Sequence, residues 1–60
     1  MQHLTKITYR GIEISVWQED GVFWSYMFSN GFIAGSSEGY ESKEAAIAAG
    51  RLSVDAKSKS

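Results

Sequence analysis

Two turn signals bracket the most apolar stretch of this 60-residue chain. Asp20-Gly21 and Asn30-Gly31 are dipeptides that tolerate positive φ, which tight two-residue hairpin turns require. The segment between them, Val22 to Ser29, reads VFWSYMFS and is apolar at most of its positions. A strand joined to both neighbours by tight turns lies in the middle of an antiparallel meander, so this central strand places bulky side chains on both faces of the sheet.

The segments on either side of the central strand read as outer strands. Ile7 to Gln18 is predicted as one strand, in which Gly11 marks a bulge or a bend. Phe32 to Ser37 follows the second turn signal and is predicted as the third strand. The first of these strands has its apolar residues at period two, at Ile12, Ile14 and Val16, with Glu13 and Ser15 between them.

A helix is predicted after the third strand. Ser42 is a good N-cap because its hydroxyl can accept from a free amide of the first turn, and the helix is expected to run from Lys43 to about Asp55. The fold class is therefore α+β, a three-stranded antiparallel meander followed by one C-terminal helix on one face (β-β-β-α). Residues 1–56 are expected to form one domain and residues 57–60 a disordered tail. The apolar stripe predicted for the helix consists of Ala45, Ala48, Ala49, Leu52 and Ala56.

Composition excludes several classes of function. The chain has no cysteine and a single histidine, His3, so neither disulfides nor a zinc site is expected, and no cofactor is predicted. A chain of this length offers little room for a substrate pocket of ordinary size, so an enzyme is not expected. No apolar run approaches the roughly 18 residues of a membrane span, and we expect a cytoplasmic protein that binds no membrane.

The faces of the predicted sheet follow from assuming two-residue loops, which place Glu19 opposite Val22 and Ser29 opposite Phe32. Under this assumption one face is mainly aliphatic and has small serines near its centre, whereas the other is mainly aromatic. The first face would carry Ile12, Ile14, Val16, Phe23, Ser25, Met27, Phe32, Ala34 and Ser36. The second would carry Trp17, Trp24, Tyr26, Phe28 and Ile33.

One helix covers only one face of such a sheet, and the aliphatic face suits an alanine-rich helix better. The aromatic face would then be free, and several hundred Å² of exposed apolar surface marks an interaction site. We therefore predict a non-enzymatic protein–protein interaction or regulatory module, a homodimer or a binder of another protein, that uses this aromatic face. A bulge at Gly11 or a longer first loop would reverse the faces and place the aromatic residues in the core.

Turn, loop and helix-start residues follow one another between Asn30 and Ala46; they are Asn30, Gly31, Ser37, Gly39, Tyr40, Ser42, Lys43 and Ala46. With these residues the segment resembles the end of the repeat in the YegP-like family of small bacterial proteins. The resemblance implies a β-sheet covered by a helix, occurrence as dimers or tandem repeats, and no catalytic residues.

A weaker resemblance points to nucleic acid. Tyr9-Arg10-Gly11 and the alanine-rich helix are similar to plant ethylene-response-factor domains and phage integrase arm-binding domains, which also place three strands before a helix. Those domains read DNA with arginine-rich strands, so nucleic-acid binding is the alternative function. The net charge of −1 disfavours it, because phosphate binding needs a basic surface.

Overall fold

The computed structural model describes residues 4–19 and 21–58 of the chain. Four strands, β1 (Leu4–Tyr9), β2 (Ile12–Gln18), β3 (Trp24–Ser29) and β4 (Ala34–Tyr40), precede one helix, α1 (Lys43–Ser58). The strands form one antiparallel sheet in the order β1-β2-β3-β4. The α+β class is confirmed, and so is the meander, but the sheet has four strands where three were predicted.

The extra strand comes from a tight turn inside the predicted first strand. Arg10 and Gly11 connect β1 to β2 with φ values of 55° and 77°, and Tyr9 pairs with Ile12. Positive φ at both central residues is typical of the hairpin turn that matches the twist of its strands. The prediction of a bulge or bend at Gly11 is therefore wrong, because the chain reverses direction there.

The connection between β2 and β3 is longer than predicted. Gln18 pairs with Trp24 at the end of the two strands, and the amide of Glu19 donates to the carbonyl of Phe23 at 3.2 Å. Val16 consequently pairs with Tyr26, and Ile14 with Phe28. Relative to the predicted pairing of Glu19 with Val22, the register is shifted by one residue, which moves every β3 side chain to the opposite face.

The second turn signal lies where it was predicted, but its strand begins later. Asn30 Oδ1 accepts from the amides of Phe32 and Ile33, both at 2.9 Å, and the first pair beyond the loop is Ser29 with Ala34. Strand β4 continues to Tyr40, with an irregularity in the β3–β4 pairing between Trp24 and Tyr26. The strand predicted over 32–37 is thus corrected to Ala34–Tyr40.

Ser42 caps the helix as predicted. Its Oγ accepts from the amide of Ala45 at 3.1 Å, and its carbonyl accepts from the amide of Ala46 at 3.1 Å. The helix extends through Lys57 and Ser58, past the predicted domain limit at residue 56. Residues 59 and 60 of the predicted tail lie outside the described residues.

The helix meets the sheet through a different stripe from the one predicted. Ala46, Gly50 and Val54 are buried, whereas Ala45, Ala48, Leu52 and Ala56 are exposed. At Gly50 the helix comes so close to the sheet that an added β-carbon would lie 3.1 Å from Ile14 Cγ2. The predicted stripe is wrong for Ala45, Ala48, Leu52 and Ala56, because the helix turns Ala46, Gly50 and Val54 toward the sheet; Ala49 alone of the predicted set is half-buried and packs against the core.

The core lies between α1 and one face of the sheet. Three aliphatic residues of β2 and two aromatic residues of β3 form it with Ala46 and Val54; these strand residues are Ile12, Ile14, Val16, Tyr26 and Phe28. The rings of Tyr26 and Phe28 are stacked, with centroids 6.3 Å apart. At the β1–β2 turn, the Tyr9 hydroxyl and Arg10 both bond to Asp55 of the helix. None of the helices in the described ranges, 4–19 and 21–58, is long and apolar enough to cross a membrane.

Candidate interaction surface

The face of the sheet opposite the helix has no described element lying over it, and we call it the open face. Alternation from the helix-facing residues assigns its members, because successive side chains of a strand point to opposite sides. The open face comprises Leu4, Lys6, Thr8, Glu13, Ser15, Trp17, Ser25, Met27, Ser29, Ala34, Ser36 and Glu38.

Large apolar side chains on the open face are separated by small polar ones. Leu4 and Met27 are 59% and 52% exposed, and Trp17 is half-buried. Between them lie Ser15 and Ser25, and Ser25 is buried although it belongs to the open face. The surface is therefore uneven, with raised apolar side chains beside low serine positions.

Two depressions in the open face meet at Ser25 and Glu38. A hollow of about 140 Å³ is lined by Glu19, Phe23, Ser25, Glu38 and Gly39. A broader groove of about 320 Å³ continues from it past Trp17, Met27 and Ser36. Ser25 and Glu38 line both depressions, so the β3–β4 side of the face can receive a protruding side chain.

Trp17 is held in place by a polar contact of its indole. The Trp17 Nε1–H donates to Glu19 Oε1 at 2.8 Å. This bond fixes the edge of the ring and leaves much of its apolar body on the open face, because a tryptophan presents both a polar edge and a large apolar surface.

Charges on the open face are few and of both signs. Lys6 Nζ lies 3.9 Å from Glu13 Oε1, and both side chains are more than half exposed. A pair so exposed contributes about 0–1 kcal/mol to stability. Glu38 adds a carboxylate at the β4 edge, so the face has no basic surface of the kind that binds phosphates.

The structure separates the five residues predicted to form the interaction surface. Trp17 lies on the open face, whereas Tyr26 and Phe28 are 6% and 2% exposed beneath the helix. Trp24 and Ile33 are half-buried and pack against the core. The predicted aromatic face is therefore wrong for Tyr26 and Phe28, since the one-residue shift between β2 and β3 turns them inward.

Residues assigned by the sequence to the helix-covered face lie on the open one. They include Met27, Ser25 and Ser36. The helix was expected to pack over the two serines, but it lies on the other side of the sheet. The sequence could have identified these open-face residues through a comparison of the two sets of alternate positions along β3. Trp24, Tyr26 and Phe28 are all aromatic, whereas Ser25, Met27 and Ser29 are smaller and more polar, and the more apolar set belongs in the core.

Other kinds of site find no support in the described residues. Within residues 4–19 and 21–58, no group of three or more His, Asp or Glu side chains is placed to hold a metal ion. His3 lies outside the described residues.

Comparison with known proteins adds no relative: no family model, curated protein or solved structure matches this chain.

Proposed function

We propose that this protein is a non-enzymatic protein–protein interaction module whose binding surface is the open face of the sheet. The observation that supports the proposal most directly is that one helix covers one face, while Trp17, Met27 and Leu4 stand on the other. Contiguous apolar patches mark interaction sites, and these three side chains are the large apolar groups of the open face. The binding partner is a second copy of the chain or another protein.

The mixture of side chains on the open face favours a protein partner. Met27 and Trp17 supply apolar surface and adaptable packing, and the surrounding serines supply hydrogen-bonding groups. Methionine and tryptophan are enriched in protein interfaces relative to the remaining surface. The open face therefore combines exposed apolar side chains with polar ones, on its central and its outer strands alike.

Nucleic-acid binding has weaker support than protein binding. Lys6 is the cation of the open face, and it lies beside Glu13. Arg10 is engaged with Asp55 at 3.0 Å on the helix side. A single-stranded nucleic acid requires a positive groove along which its backbone can run, and Glu13 and Glu38 oppose one here.

The proposal is tested with Met27→Lys on the open face and Leu52→Lys on the outer face of the helix. Leu52 is 69% exposed, so the control adds the same charge without touching the sheet. Self-association is measured by sedimentation equilibrium. In parallel, proteins captured from a native extract are identified, purified and titrated against each variant.

Support consists of self-association, or binding of a purified partner, that Met27→Lys weakens by about tenfold while Leu52→Lys leaves it within about twofold. If neither self-association nor any purified partner distinguishes the two variants, the open face is not the binding surface and the proposal fails.

A further inference from the structure

We propose that the hollow lined by Glu19, Ser25 and Glu38 binds the basic side chain, an arginine or a lysine, of a protein partner. The inference rests on the proposed function and specifies the chemistry that the partner presents to the open face. It follows from three observations: two carboxylates without a cation, a buried hydroxyl that opens into the same space, and aromatic rings beside both.

The hollow lies at an irregularity of the β3–β4 pairing. Opposite Ser25, where β3 has one residue, β4 has two, Glu38 and Gly39. The second of these has a φ of 92°, a left-handed conformation that glycine adopts without strain. An extra residue of this kind interrupts the ladder and re-aims the side chains beside it. The backbone of β4 therefore gives the hollow of about 140 Å³ its shape.

The two carboxylates that line the hollow have no cationic partner within the described ranges, 4–19 and 21–58. The ion pairs found there use Glu13 and Asp55 instead. Among the same residues, no lysine or arginine lines the hollow or the groove that continues from it. Glu19 and Glu38 thus place negative charge at one end of the open face, and a cation from outside the described chain would complement it.

Glu19 is held in position by its contact with Trp17. Its Oε1 accepts from Trp17 Nε1 at 2.8 Å. A carboxylate accepts hydrogen bonds at both of its oxygens, so Oε2 can accept from a ligand while Oε1 stays bonded to the indole. A group that is already oriented loses less conformational freedom when a ligand binds.

Ser25 adds a hydroxyl to the hollow. The residue is 3% exposed, and its side chain makes no hydrogen bond with the part of the chain that the structure describes. No buried side-chain oxygen in that part is both unpartnered and closed off from the surface, so the Ser25 hydroxyl opens into the depressions that the residue lines. A hydroxyl oxygen placed there can accept from an N–H group of a ligand.

Aromatic side chains stand beside these polar groups. Phe23 lines the hollow and is 45% exposed, and Trp17 lines the adjoining groove. Arginine and lysine pack their methylene stems on apolar surface while their charged heads reach polar groups. Their cations are also attracted to the faces of aromatic rings. Carboxylates next to aromatic rings therefore favour an organic cation.

A metal ion suits the hollow less well than a basic side chain. Calcium takes about six to eight oxygen ligands, whereas the described residues contain no group of three or more Asp, Glu or His placed to hold a metal. A guanidinium or an ammonium needs fewer acceptors, and the guanidinium can bond to two at once through its planar fork. Because the hollow adjoins Met27 on the open face, a partner that covers the apolar residues can also reach into it.

The first test titrates the ¹⁵N-labelled chain with Nα-acetyl-arginine amide and, separately, with Nα-acetyl-lysine amide at constant ionic strength. Saturable shifts are expected for the amides of Ser25, Glu38 and Gly39 and for the Trp17 indole. The expected dissociation constant is about 10 mM, a weak affinity that a few charge-assisted hydrogen bonds can give. Nα-acetyl-citrulline amide has nearly the same shape without the charge, so it should bind at least about tenfold more weakly.

Saturable binding of either basic compound at these residues supports the site. Equal binding of the arginine and citrulline compounds would overturn the proposal, because charge would then play no part. The same shifts produced by calcium chloride alone would assign the hollow to a metal ion and would also overturn it.

The second test compares two neutralised carboxylates of the open face. Glu38→Gln is expected to raise the dissociation constant of the arginine compound about three- to tenfold. Glu13→Gln removes the same charge outside both depressions and should leave it within about twofold. Both residues are exposed, and the amide spectra show whether each variant is folded. Equal effects of the two substitutions would contradict a site in the hollow.

The two proposals fail in different ways. If neither basic compound binds saturably up to about 100 mM, where an affinity ten times weaker than expected would be detected, the site for a basic side chain is wrong, and the interaction module is still judged by Met27→Lys. If a basic compound binds but no purified partner distinguishes Met27→Lys from Leu52→Lys, the cation site stands and the proposed function fails. A purified partner that binds Glu38→Gln as tightly as the wild type would show that its interface does not use the hollow.

Discussion

The ring of Phe28 lies against the backbone of Gly35 on the adjacent strand. A β-carbon at position 35 would lie 2.8 Å from Phe28 Cζ and 3.0 Å from Ser53 Oγ. Phe28 is 2% exposed and stacked on Tyr26, so its ring cannot withdraw without disturbing the core. Because Gly35 has no side chain, β4 can pack directly against the buried ring of Phe28.

Gly35→Ala is expected to destabilise the protein by about 1–3 kcal/mol, the usual cost of an overpacked core. For a domain of this size, each kcal/mol lowers the melting temperature by about 4–8 °C. Thermal unfolding followed by circular dichroism measures the change. Ser36→Ala, at the next residue but on the exposed side of the strand, is the control and should shift stability by less than about 0.5 kcal/mol. Equal effects of the two substitutions would refute the close packing.

The Tyr9 hydroxyl joins the first hairpin to the helix. It lies 3.1 Å from both carboxylate oxygens of Asp55, in a part-buried position. Tyr9→Phe removes this bond and should cost about 0.5–1.5 kcal/mol in urea unfolding. In an Asp55→Asn background the same substitution should cost measurably less, since the charged acceptor is gone. If the double-mutant cycle of Tyr9→Phe and Asp55→Asn gives a coupling energy near zero, the contact between the two side chains does not stabilise the protein.

Arg10 occupies a left-handed conformation, with φ of 55°, which disfavours an ordinary side chain. Arg10→Asn would create Asn-Gly, the preferred pair for this turn, but it would also remove the Arg10 bond to Asp55 at 3.0 Å. The turn effect is isolated in an Asp55→Asn background, where Arg10→Asn should stabilise the protein by about 0.5–1 kcal/mol. A loss of stability in that background would contradict the turn assignment.

The N-cap of the helix provides a further test. Ser42→Ala removes the acceptor of the Ala45 amide and should cost about 1 kcal/mol. Ser42→Asp keeps an acceptor and adds a charge that the helix dipole favours, so it should retain wild-type stability. The two variants are compared by chemical unfolding. An aspartate variant as unstable as the alanine one would exclude capping as the cause.

Features that depend on local chemistry could be predicted from the sequence. The turn at Asn30-Gly31 uses the Asn30 side chain to accept two amides, and Ser42 begins the helix with its own hydroxyl. These bonds form within three residues along the chain, so the residue types alone indicate them. The turn at Arg10-Gly11 was missed because arginine rarely adopts positive φ and gives no turn signal of its own.

The open face was only partly predictable, and Met27 shows why. Its neighbours on β3 alternate between aromatic and smaller residues, but period two assigns faces only relative to the next strand. The longer connection between Gln18 and Trp24 changed that relation by one residue and brought Met27 out and Tyr26 in. Trp17 lies on the open face as predicted because it belongs to β2, whose apolar residues Ile12, Ile14 and Val16 point to the core.

The sequence by itself was enough to predict an antiparallel meander that ends in a capped helix, and a sheet with one face that the helix does not cover. Only the tertiary structure decided which residues form that uncovered face. Placing Tyr26 and Phe28 beside Ile14 and Val16 buries two rings at about 1.5–3 kcal/mol each, a gain that no local turn preference can offset. The long-range gain from burying those rings therefore set the register, and the register determined the open face.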